Sequence, residues 1–202
     1  MGGGEPIDFY FEFSSPYGYI ASQLVDDFAG RIGRPVRWRP MLLGPVFKIT
    51  GQPPLIDIPM KGQYAKHDFA RSARLHRIEY NHPGKFPVGT VAGLRAFYWL
   101  HDRDPKMAQS FAKALYRAYF AEGRDISAAP VVIEVAAAAG ADAAALTAAL
   151  EDPAIKERAK REVDAAIAAG VFGSPYFVVD GEPFWGVDRM PMVEQWIRTG
   201  GW

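Results

Sequence analysis

Strand patterns lie only at the two ends of this chain, and what lies between them reads as helix or loop. Asp8-Phe9-Tyr10-Phe11-Glu12-Phe13 alternates apolar and polar residues, and Val36-Arg37-Trp38-Arg39-Pro40 does so again after a break at Gly33-Arg34-Pro35. At the far end, Tyr176 to Val179 and Pro183 to Trp185 flank an Asp180-Gly181 turn. Two strands alone make a marginal sheet, so the ends are expected to pair with each other. The result is an α/β fold in the order β-α-β, a long helical block, then β-β-α.

Helical spacing is predicted from Pro16 onward, from Tyr64 to Tyr80, from Thr90 to Leu100 and from Lys106 to Glu122. The last of these puts Met107, Phe111, Leu115, Ala118 and Tyr119 on one face. Ala-rich helices follow over Val131 to Ala139 and Ala143 to Leu150, divided by Gly140, and another runs from Ala154 to Ala169 and closes at Gly170. A final helix is expected from Asp188 to Arg198. The Pro- and Gly-rich stretch from Met41 to Gly62 reads as loop, with at most a short helical piece around Val46-Phe47-Lys48. Residues 1–45 and 170–202 would then form a discontinuous α/β domain, with 46–169 as its helical insertion.

Charge and composition exclude several classes. The 202 residues carry 23 Lys and Arg against 23 Asp and Glu, a net charge of zero. No basic field recommends nucleic acid or an anionic membrane surface as a partner. Cysteine is absent, so the protein cannot itself exchange disulfides or offer a thiolate to a metal. His67, His76, His82 and His101 show no metal-binding spacing, and no nucleophile elbow, P-loop or dinucleotide fingerprint occurs. No uncharged apolar run approaches the roughly 20 residues of a membrane span. Met1-Gly2-Gly3-Gly4-Glu5-Pro6 lacks the marks of a signal peptide or a myristoylation site and reads as a flexible leader. A cytoplasmic address is expected.

Two Ser-Pro steps carry the chemistry. Ser15-Pro16 sits where the first strand runs into a helix, with Ser15 suited to the N-cap and Pro16 to the first helical position. A helix start presents unpaired N–H groups and partial positive charge, which favour an anion such as a thiolate. Ser174-Pro175 stands just before the third strand, in Phe172-Gly173-Ser174-Pro175-Tyr176-Phe177. On these residues alone, a plain N-cap is the simpler reading of Ser15.

The arrangement resembles the thioredoxin fold, in which an active group opens the first helix and a cis-proline precedes the third strand beside it. From Asp8 to Ile197 the chain is similar to the DsbA-related branch with a helical insertion. More narrowly, it resembles the 2-hydroxychromene-2-carboxylate isomerases and the kappa-class glutathione transferases. Five segments carry the likeness: Asp8 to Tyr17; Leu42-Leu43-Gly44-Pro45-Val46-Phe47-Lys48; Pro53-Pro54 with Lys61-Gly62-Gln63-Tyr64; Val171-Phe172-Gly173-Ser174-Pro175; and Phe184-Trp185-Gly186-Val187-Asp188-Arg189-Met190.

The resemblance implies that glutathione brings the thiol and that Ser15 stands at the redox cysteine's position, orienting and stabilising the thiolate. Gly18 matches the second cysteine. Ser174 and Pro175 would pair with the cysteinyl unit. In the stretch Trp185, Gly186, Val187 and Asp188, the last two match positions that hold the γ-glutamyl end, although Asp188 also reads as a helix N-cap. Gln52 and Lys61 match loop positions that reach the glycyl part; Lys61 reads equally as a solvated surface charge. Lys48 would meet the carboxylate of a small aromatic substrate, and Phe47, Tyr17, Trp185 and Trp38 could wall its ring, although a buried core is the commoner fate of such residues. The implied protein is a glutathione-dependent isomerase in aromatic catabolism and a homodimer. The alternatives are a kappa-like transferase or peroxidase on the same site, and a non-catalytic thioredoxin-fold binding protein.

Overall fold

A computed structural model describes residues 4–202. In chain order the elements are β1 (Ile7–Phe11), α1 (Pro16–Ile32), β2 (Val36–Pro40), α2 (Leu43–Thr50), α3 (Lys61–Leu75), α4 (Val91–His101), α5 (Pro105–Phe120), α6 (Ala129–Ala138), α7 (Ala143–Glu151), α8 (Pro153–Ala168), β3 (Tyr176–Val179), β4 (Glu182–Trp185) and α9 (Met190–Thr199). Short 3₁₀ turns occupy Leu55–Asp57 and Val187–Arg189. The leader expected over Met1 to Pro6 lies outside the described residues as far as Gly3. At Glu5 the backbone is held: its carbonyl accepts from the buried Arg34 guanidinium, which also forks onto both Asp180 oxygens at 2.8 Å.

The two ends meet as one sheet in the order β2-β1-β3-β4. β2 runs parallel to β1, with Phe9 opposite Trp38; β3 runs antiparallel on the other side, with Phe9 opposite Phe177. Alternation then sorts the side chains. Phe9, Phe11 and Phe177 point into the main core, where Phe9 stacks on Phe177 at 5.1 Å and meets the edge of Trp38 at 5.2 Å. Tyr10 and Tyr176 face the other way, against Met41, Val46, Ala166 and Val171. The β3–β4 hairpin turns on Asp180 (φ 52°) and Gly181 (φ 90°), both left-handed as a two-residue turn of this twist requires.

The helical block packs onto the same core. α4 sends Phe97 against Phe11 at 5.9 Å, and its Tyr98 hydroxyl donates to the Pro40 carbonyl at 2.8 Å. On α5, Phe111, Leu115, Ala118 and Tyr119 are buried as the periodicity predicted, while Met107 is only partly covered. The buried face is wider than that stripe and includes Ala112, Tyr116 and Phe120, because α5 packs on α1 as well as on α4. Among the described residues no helix is long and apolar enough to cross a membrane.

Two stretches depart from the sequence reading. The short helical piece expected around Val46-Phe47-Lys48 is a full helix over Leu43–Thr50. Pro45 falls in its first turn, where a missing N–H is harmless, and the Leu43 N–H is received by the Glu12 carboxylate at 3.0 Å, a partner no local pattern reveals. α3 starts at Lys61 and stops at Leu75, well short of Tyr80. Arg77 adopts φ 57°, and the Ile78 N–H folds back onto the Ala73 carbonyl at 2.9 Å, which ends the helix.

Candidate active site at the start of the first helix

Ser15 caps α1 as its sequence predicts. Its backbone is extended (φ −96°, ψ 116°) and its Oγ accepts the Gly18 N–H at 3.0 Å. The same hydroxyl donates to the Ser174 carbonyl at 3.0 Å, and the Ser174–Pro175 peptide bond is cis. The two Ser-Pro steps therefore meet. Among the described residues the N–H groups of Tyr17 and Ser174 have no protein partner, so two donors remain at the mouth of a helix whose dipole favours negative charge.

Glu12 ties this turn to the rest of the molecule. Its carboxylate is buried and accepts from the Leu43 N–H at 3.0 Å, from the Ser14 N–H at 3.3 Å and from the Thr90 hydroxyl. Burial pushes its pKa up, and these donors pull the other way. The side chain thus links the end of β1 to the starts of α2 and α4. Sequence reasoning missed this role; a carboxylate at the end of an otherwise aromatic strand was the available signal.

The remaining candidates fall into two groups. Gly186, Val187 and Asp188 lie close to the cis-proline, since the Gly186 N–H donates to the Pro175 carbonyl at 3.0 Å. Gly186 takes φ 117°, a conformation that glycine adopts readily, and a Cβ there would stand 2.4 Å from Asp188 Oδ1. Asp188 lies in the 3₁₀ turn, caps no helix through its side chain, and pairs with Arg189 at 2.8 Å. Trp185 is exposed by 56% and lies against Gly173, where a Cβ would come within 2.2 Å of its Nε1. Phe172 meets the same indole edge-on at 4.9 Å.

Phe47 and Lys48 ride on α2, Gln52 follows it, and Lys61 opens α3. Lys48, Gln52 and Lys61 are exposed, and neither lysine makes an ion pair among the described residues. Gly62 lets this loop close on itself, because a Cβ there would stand 2.1 Å from the Ile56 carbonyl oxygen. Tyr17 sits in the first turn of α1, half-buried, with its hydroxyl on Asp68 at 2.5 Å and its ring against Phe69. Burial first, and then Asp68, hold its pKa well above the ordinary phenol value, so it stays a neutral donor. Trp38 does not join an aromatic wall: it is buried in the core against Phe9 and Phe11. Its inward place in β2 follows from the pairing with Phe9.

A sheet of this order, a helix capped by a serine and a cis-proline facing that cap define a thioredoxin-type site from which the cysteines are missing. The chain belongs to the DSBA-like thioredoxin domain family, whose model matches residues 6–198. It is 30% identical over 194 residues to a 2-hydroxychromene-2-carboxylate isomerase of Sphingobium xenophagum, covering 95% of this chain and 97% of that one. A solved structure of such an isomerase superposes with a TM-score of 0.86 at 28% identity, over 96% of this chain and 94% of its own. The chain is also 24% identical over 208 residues to glutathione S-transferase kappa 1 of Rattus norvegicus, covering 95% and 92% of the two chains.

Proposed function

We propose that the protein is a glutathione-dependent isomerase acting on compounds of the 2-hydroxychromene-2-carboxylate and o-hydroxybenzylidenepyruvate type. The observation that carries this reading is the contact between the Ser15 hydroxyl and the Ser174 carbonyl in a chain without cysteine. When bound, glutathione supplies a thiolate that adds to the enone and later leaves, so that the intervening bond can rotate. The residues present suit such a tripeptide. Ser174 offers an unpartnered N–H and a carbonyl side by side, as a strand edge does for a peptide. Gly186 to Asp188 provide a close backbone approach and a carboxylate for an ammonium group.

Ser15 orients and stabilises. Its hydroxyl turns from the Ser174 carbonyl toward the sulfur, while the Tyr17 N–H and the helix dipole add to the same favourable field. Each pKa unit taken from a thiol near 8.5 needs about 1.4 kcal/mol, which one charge-assisted hydrogen bond supplies. Lys48 holds the carboxylate of the second substrate as a point charge. Phe47 and the exposed Trp185 cover its ring, and Gln52 and Lys61 hold the glycyl end of the tripeptide. A homodimer and a cytoplasmic address go with this reading and are measured by size in solution and by fractionation.

The test incubates the protein and glutathione with a ring-opened hydroxybenzylidenepyruvate and, separately, with chlorodinitrobenzene. Glutathione-dependent isomerisation without net loss of thiol is expected. Conjugate formation with no isomer would favour the transferase reading, and binding without turnover would favour a non-catalytic protein.

A further inference from the structure

A glycine at position 18 is required by what stands over it. A Cβ there would come within 2.5 Å of the Tyr116 hydroxyl and 2.7 Å of Ser174 Oγ. The place a second active-site side chain would take is therefore filled by a tyrosine from α5, a residue buried completely.

Its hydroxyl and that of Ser174 both hold the backbone of Glu12. The Glu12 N–H donates to Ser174 Oγ at 2.9 Å. The Tyr116 hydroxyl donates to the Glu12 carbonyl at 2.7 Å and shares with Ser174 Oγ the space over Gly18. The Glu12 carbonyl also receives the Ser15 N–H at 2.8 Å, and the carbonyl of Ser174 receives the Ser15 hydroxyl. Three distant segments are thus locked at one point. Burial keeps the Tyr116 phenol protonated, which preserves its donor.

We infer that Tyr116 is a positioning residue of the Ser15 site: through its hydroxyl it fixes the Ser174 side chain and peptide, and with them the edge on which the thiol peptide docks. This rests on the proposed glutathione chemistry for its consequence, while its first readout needs no ligand. Without the phenol oxygen, the Glu12 carbonyl loses a donor and space opens beside Ser174 Oγ, so the acceptor of the Glu12 N–H is no longer held in place. A buried hydrogen-bond network of this kind acts as a unit.

The experiment compares wild type with Tyr116→Phe by native-state hydrogen exchange and by glutathione-dependent turnover. The Glu12 amide is expected to exchange at least about tenfold faster relative to the core amides of Phe9 and Phe177, the effect of one lost hydrogen bond. Turnover is expected to fall about tenfold, with a smaller change in the KM for the aromatic substrate. Gly18→Ala crowds both hydroxyls and should reproduce the loss in wild type. Ser174→Ala removes the other hydroxyl over Gly18, the acceptor of the Glu12 N–H, and replaces Tyr116→Phe if that variant does not fold. Uniform acceleration of all three amides with unchanged turnover would reduce Tyr116 to a packing residue and overturn the inference. Localised exchange with no glutathione-dependent turnover in the wild type would leave the positioning role of Tyr116 in place and overturn the proposed reaction instead.

Discussion

The Ser15 hydroxyl donates its one proton to the carbonyl of Ser174, 3.0 Å away across 159 positions of sequence. The hydroxyl therefore has nothing left to give a sulfur anion until it leaves that carbonyl. A ligand N–H arriving at Ser174 would keep the carbonyl satisfied while the hydroxyl turns, so docking of the peptide and activation of its thiol are linked through one acceptor.

Ser15→Ala removes both the cap and the proton. The loss of an N-cap costs about 1 kcal/mol, which a domain of this size tolerates. The variant is expected to fold, to melt a few degrees lower, and to turn over at least about tenfold more slowly. Steady-state kinetics beside a thermal melt measures this; wild-type turnover in a folded variant would remove Ser15 from the chemistry.

Restoring a dithiol is expected to fail. In the double variant Ser15→Cys, Gly18→Cys the second side chain meets the Tyr116 hydroxyl, and its Cβ would begin 2.5 Å from that oxygen. Lower stability and no reversible disulfide are expected, as read by thiol titration after mild oxidation. A stable, cleanly oxidisable pair would mean that α5 yields easily at this point.

Glu12 gives stability a pH dependence. Burial raises its folded pKa, so the folded chain binds this proton more tightly than the unfolded one. Its contribution is fully present below the unfolded value near about 4.3 and is lost as pH rises through the folded value. The stability of wild type relative to Glu12→Gln is therefore expected to fall as pH is raised above the ordinary carboxylate range. Denaturant unfolding of both proteins as pH is raised measures it, and a constant difference would place the ionised carboxylate in the fold without penalty.

Lys48→Ala separates the two ligands. The KM for the aromatic carboxylate substrate is expected to rise about tenfold or more, with glutathione affinity unchanged, because the ammonium lies on α2 and the thiolate site is the start of α1. Calorimetry with glutathione and kinetics with the second substrate read the split. Equal losses in both would assign Lys48 to the tripeptide.

The sheet and the capped helix were legible in the sequence because each has a local signature, alternation and a Ser-Pro cap; the meeting of the two Ser-Pro steps was implied only by the resemblance to the thioredoxin fold. α2 was not fully legible, since its N-terminus is satisfied by Glu12 from another segment and its Pro45 reads as a breaker. Trp38 was misplaced because an aromatic residue looks the same in a pocket wall and in a core until its strand partners are known. Tyr116 lies one position off the stripe that Phe111 and Leu115 define, and only the packing of α5 against the α1 start gives it a role.

The most direct test is a pH titration of the thiolate absorbance of glutathione bound to the wild-type protein, with Ser15→Ala alongside. A bound thiol pKa lower than that of free glutathione by at least about one unit, and returning toward it in Ser15→Ala, is expected. Saturable binding with an unshifted thiol, or no binding at all, would contradict a thiolate held at the opening turn of α1.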